Sequence, residues 1–77
     1  MSERKMTKNF LVIIEPTGTG FSAYSPDVPG CVATGKTRAA TEKCMREAIE
    51  MHIEGLREDG LAVPEPQSTA AYVSVAA

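Results

Sequence analysis

The sequence predicts an α+β domain of element order β-β-β-α-β, with a mixed four-stranded sheet of strand order 3-2-1-4 and one helix on one face. Three observations predict it. Residues 9–15, Asn-Phe-Leu-Val-Ile-Ile-Glu, are a β-branched and aromatic run that is apolar on both faces, as in a strand covered on both sides. Residues 37–59 carry an apolar stripe at helical spacing, the mark of an amphipathic helix. Gly- and Pro-containing stretches at 16–20 and 26–30 cut the N-terminal half into short segments, which reads as turns between strands.

Residues 1–8 are charged and polar and are expected to be a flexible N-terminal segment ahead of a single domain over 9–77. In the first strand Phe10, Val12 and Ile14 point one way and Leu11 and Ile13 the other, because side chains alternate across a strand. Pro16-Thr17-Gly18-Thr19-Gly20 is turn chemistry, and Phe21-Ser22-Ala23-Tyr24-Ser25 returns as the second strand. Pro29 supplies the φ wanted at the second position of a turn and Gly30 the positive φ wanted at the third, so residues 28–31 read as a type II turn. Cys31-Val32-Ala33-Thr34 is the third strand.

Thr37 is placed to cap a helix running to about Asp59. At about 100° per residue, Thr41, Met45, Ala48, Ile49, His52 and Leu56 share one face, while Glu42, Lys43, Arg46, Glu47, Glu50 and Glu54 take the other. Glu42 with Arg46, Lys43 with Glu47 and Arg46 with Glu50 are attractive four-residue pairs, each contributing about 0.2–0.5 kcal/mol. Gly60 is a fitting stop, with Leu61 as its hydrophobic contact. Val63-Pro64-Glu65-Pro66-Gln67 is an extended connector. Residues 69–76 alternate, Ala71, Val73 and Val75 against Tyr72, Ser74 and Ala76, and are expected to be the last strand. After a helix that reverses the chain, this strand runs parallel to the first and makes the first central.

One helix covers one face only. The apolar residues left on the other face require cover, since large exposed apolar patches are unusual on a soluble monomer. A homo-oligomer, dimer or tetramer, is therefore expected, with Leu11, Ile13 and Tyr72 as interface candidates. A chain of 77 residues also buries only about 60% of its unfolded surface, a thin margin that oligomerisation relieves.

The net charge of −2, with both signs mixed along the chain, offers no basic field for a phosphate backbone, so direct nucleic-acid binding is not expected. No secretory-type apolar core follows the charged start, and the apolar run at 10–14 is far shorter than a membrane span. A cytoplasmic protein is expected. Cys31 and Cys44 have no CxxC spacing, so neither a metal site nor a redox pair is indicated, and no cofactor is expected. His52, the one histidine, falls on the apolar stripe and reads as a core or interface residue bonded to the backbone. No nucleophile, base and orienting group can be assembled, and a non-enzymatic protein is expected.

The run Phe21-Ser22-Ala23-Tyr24-Ser25-Pro26-Asp27-Val28-Pro29-Gly30-Cys31 resembles the hallmark of the HicB antitoxin family, an aromatic strand leading into Pro-Asp-(Leu/Val)-Pro-Gly-Cys. The similarity continues through Thr34-Gly35 and Thr37, the helical Arg46-Glu47-Ala48-Ile49-Glu50, and Gly55-Leu56-Arg57-Glu58-Asp59-Gly60 with Val63-Pro64-Glu65-Pro66 behind it. The resemblance implies a partial RNase H-like fold without its active-site carboxylates, acting as antitoxin of a type II toxin-antitoxin system. It implies a HicA-like toxin as partner, a small basic ribonuclease whose catalytic surface the antitoxin masks. Tyr24, Pro26, Asp27, Pro29, Gly30 and Cys31 are then candidates for the partner interface. The C-terminal DNA-binding module that many members carry is not expected in these 77 residues. Two other readings compete. One is an orphan oligomeric regulatory or ligand-binding module, whose sign is a pocket beneath the turn. The other is a degenerate metal-dependent RNase H-like hydrolase using Glu15 or Asp27.

Overall fold

A computed structural model describes residues 7–77. Three short strands, β1 (Ile13–Pro16), β2 (Phe21–Tyr24) and β3 (Val32–Gly35), precede one long helix, α1 (Arg38–Glu58). The sheet is antiparallel throughout, in the order β1-β2-β3. Register puts Ile14, Ala23 and Ala33 in one row. That row faces α1 and meets Val28, Cys31, Met45 and Ile49 in a single core, with Phe10, Val12 and Ile53 packed at its margin. The neighbouring row, Ile13, Tyr24 and Val32, points to the other face of the sheet.

The four-stranded sheet of order 3-2-1-4 does not form. Residues 69–77 make no strand, and β1 is an edge rather than the centre. The cause lies where this segment leaves the body. Asp27 accepts the backbone N–H groups of Gln67 and Ser68 at 2.9 and 2.8 Å and the Ser68 hydroxyl at 2.9 Å. Pro64 and Pro66 keep the connector extended, and Lys8 pairs with Glu65 beside it. The chain is thus held at the corner between β2 and β3 and runs outward from there. Tyr72, Val73 and Val75 are 105%, 79% and 77% exposed, and the molecule reaches 53 Å along its longest axis. The first strand is also shorter than expected, because ladder pairing begins only at Ile13. Of the flexible segment expected at 1–8, positions 1–6 lie outside the described residues, while Thr7 and Lys8 are exposed.

The helix begins and ends as its sequence dictates. The Thr37 hydroxyl accepts from the Ala40 N–H at 3.0 Å, and the buried Thr41 hydroxyl donates to the Thr37 carbonyl at 2.7 Å. At the other end Leu61 N–H reaches the Leu56 carbonyl at 2.8 Å and Gly60 N–H the Arg57 carbonyl at 3.1 Å. With Gly60 at a φ of 69°, this is a Schellman stop. Leu61 itself stays 58% exposed. Gly35 is dictated by α1: a Cβ there would lie 2.6 Å from the Thr41 hydroxyl oxygen and 3.0 Å from its backbone nitrogen.

His52 departs from expectation, since it is exposed. The buried residues of α1 are Thr41, Met45 and Ile49, followed by the half-buried Ile53 and Leu56. The contact line therefore drifts across the helix toward the side of Phe10 and Val12, and His52 is left behind on the far side. Among the described residues the one salt bridge is Lys8 with Glu65, so the expected four-residue ion pairs along α1 are not closed.

Candidate binding surface

The corner between β2 and β3 is two successive turns. Val28 N–H donates to the Ser25 carbonyl, and Cys31 N–H to the Val28 carbonyl, both at 3.2 Å. Gly30, at a φ of 89°, gives the second turn the positive φ of type II. The corner is half core and half surface. Val28 is 0% exposed and Cys31 7%, while Pro26, Pro29 and Gly30 are exposed. Ser25 is buried and donates its hydroxyl to the Leu11 carbonyl at 2.7 Å, which ties the corner to the approach to β1. The Cys31 thiol points at the Ala48 carbonyl, 3.8 Å away, and burial pushes its pKa up. It is thus a packed, protonated thiol, unlike a reactive thiolate.

Asp27 stands apart from the rest of the motif. Its carboxylate receives three hydrogen bonds from Gln67 and Ser68. The backbone N–H of Ser68, then that of Gln67, hold its pKa below the ordinary carboxylate value, because they favour the charged form. Within the chain it clamps the start of the C-terminal segment. Glu15 is exposed in the outer row with Ser22 and Thr34. Among the described residues no three His, Cys, Asp or Glu side chains converge on a metal position.

The outer face of the sheet carries an apolar strip across all three strands. Ile13 is half-buried, Tyr24 is 45% exposed and Val32 69% exposed, and the three are aligned by register. Leu11 is half-buried just beyond it, whereas Tyr72 is out on the extended segment. The nine residues named from the sequence thus divide: Tyr24, Pro26, Pro29, Gly30 and Tyr72 are at the surface, Cys31 is in the core, Leu11 and Ile13 are half-covered, and Asp27 is an anchor. Val32 and Val28 were missed by that reading. Alternation in β3 was signal enough for Val32, since Cys31 and Ala33 point inward. The apolar residue at the first position of the turn was the signal for Val28. Beneath the turn Val28 packs in one cluster with Met45 and Ile49.

Comparison with known proteins agrees with this arrangement. Residues 10–76 match a family described as the HicB-like antitoxin of bacterial toxin-antitoxin systems. A 14.9 kDa protein from the rep-hol intergenic region of Haemophilus phage HP1 is 35% identical over 63 residues, 82% of this chain and 47% of the phage protein. The chain therefore spans about half the length of that relative. A UPF0150 protein of Helicobacter pylori is 36% identical over 50 residues, 65% of this chain and 69% of its own. Among solved structures, a chain of the HicA3 and HicB3 toxin-antitoxin complex superposes with a TM-score of 0.66 at 37% identity, covering 78% of this chain and 70% of that one.

Proposed function

The chain belongs to the HicB-like antitoxin family, and on that premise we propose that it is the neutralising, non-catalytic half of a toxin-antitoxin pair, acting by protein-protein binding. The observation that carries the reading is the likeness, at 37% identity, to a chain of a HicA3 and HicB3 toxin-antitoxin complex. The partner is a HicA-like toxin, a small basic ribonuclease, and the net charge of −2 suits it, though such a field steers association only modestly. The contact surface is the strip Ile13, Tyr24 and Val32 with the exposed prolines of the adjoining corner. A rigid turn and three aromatic or β-branched side chains bind with little ordering cost, which favours affinity. No helix among the described residues is long and apolar enough to cross a membrane, and the proposed place of action is the cytoplasm. In the same reading the protein is a homo-oligomer, a dimer in its simplest form.

Co-expression with a HicA-like toxin tests this. The expected result is rescue of toxin-arrested growth and recovery of a stable complex, with Tyr24→Ala and Val32→Asp weakening both while thermal unfolding is unchanged. Arrest that persists, with no basic protein retained on purification, overturns it.

A further inference from the structure

A groove of about 960 Å³ runs between residues 7–14 and one flank of α1. Its floor is apolar, formed by Phe10, Val12, Ile14, Ile49 and Ile53, and Arg46, Glu50 and Arg57 stand along its helical rim. Among the described residues the edge of β1 beside it has no partner strand. Unpaired backbone N–H and C=O groups of this kind are a template for another strand. The same chain carries a segment of matching character with nowhere to go. Residues 69–76 alternate in strand fashion, are exposed throughout, and carry three large apolar side chains, Tyr72, Val73 and Val75, in solvent.

We propose that two copies of this chain exchange these segments, residues 69–76 of each lying in the groove of the other and adding a strand to its free β1 edge. This rests on the homo-oligomer reading above and names the segment that makes it. Alternation puts Ala71, Val73 and Val75 over the apolar floor and turns Tyr72 to the opposite face, beside Leu11 and Ile13. The hinge favours exchange over folding back. Asp27 fixes the Gln67 and Ser68 N–H groups and Pro64 and Pro66 stiffen the connector, so the segment is presented outward, and exchange of an identical element is a low-cost route to a dimer. The area suffices. Tyr72, Val73 and Val75 together remove about 400 Å² per copy, and with the groove they cover, counted in both directions, the interface reaches about 1,600 Å², within the roughly 1,200–2,000 Å² of stable interfaces.

The test combines mass and cross-linking on the full chain. Light scattering is expected to give twice the chain mass of 8.2 kDa. Val73→Pro combined with Ser74→Pro removes two successive N–H groups, one of which faces the β1 edge whichever way the strand lies. The dimer dissociation constant is then expected to rise at least tenfold while circular dichroism of the body is unchanged. In a Cys44→Ser background, copies bearing Leu11→Cys are mixed with copies bearing Tyr72→Cys and treated with a short thiol-thiol cross-linker. A band at dimer mass in the mixture alone, absent from either copy by itself, is expected. A dimer that neither cross-links nor responds to the prolines overturns the exchange and leaves a homo-oligomer joined elsewhere. A cross-link within one chain when both cysteines are on it overturns the exchange in favour of self-closure. A monomer by light scattering overturns both readings.

Discussion

Two irregular segments meet opposite fates, and the more apolar of them is the exposed one. Residues 25–31 are pinned: Ser25, Val28 and Cys31 are 3%, 0% and 7% exposed. Residues 69–76 stand in solvent, Tyr72 at 105%. The first segment is bracketed by strands that pair with each other, and its turns satisfy their own backbone groups within three residues. The second has strand chemistry but no neighbour, and a strand without a partner has neither hydrogen bonds nor a surface to cover. A single residue joins them, for Asp27 of the pinned segment holds the root of the free one.

The widest expected gap between the two comes from placing a charge in each. Val28→Asp buries an unpaired carboxylate and costs on the order of 3–5 kcal/mol, enough to unfold a domain of this size. Val75→Asp shifts the denaturation midpoint of the dilute protein by less than about 0.5 kcal/mol. Equal shifts in a urea titration would break the contrast. Backbone substitutions come next. Gly30→Val, at a φ of 89°, and Gly35→Ala, whose Cβ meets Thr41 at 2.6 Å, each cost about 1–3 kcal/mol. An unchanged melting temperature for the first means that the corner is looser than its two turns imply, and for the second that Thr41 gives way. Thr37→Ala, which removes the cap from Ala40, costs about 1 kcal/mol by the same measurement.

The smallest effect is on the link itself. Asp27 has a folded pKa below its ordinary value, so its clamp is fully present above the ordinary carboxylate range and is lost as pH falls through the lower folded value. Hydrogen exchange at the Gln67 and Ser68 amides is expected to be slowed at neutral pH and to lose that protection in strong acid, after correction for intrinsic rates. Asp27→Ala removes the oxygen that accepts both amides and is expected to lose most of the protection at every pH. Protection in Asp27→Ala equal to that of the parent means that the connector prolines alone hold the root.

Legibility followed the range of the interaction. The helix was readable to within a residue at both ends because Thr37 and Gly60 act over three to five positions, and the type II corner because Pro29 and Gly30 fix their own dihedral angles. The drift that exposes His52 was not readable, since helical periodicity assumes a straight contact line and the line here follows Phe10 and Val12. Nor was the clamp, because Asp27 and Ser68 are 41 positions apart and nothing local to either names the other.

By itself the sequence determined the family, the three antiparallel strands in succession, the helix with its cap and stop, and the corner at residues 28–31. All of these rest on local dihedral preferences or on a motif written in one stretch. Only the tertiary structure decided that Val28 is core, that Asp27 is an anchor, and that residues 69–76 leave β1 an open edge. Those outcomes depend on which distant groups reach each other first, and a strand-forming pattern specifies a readiness to pair without specifying the partner.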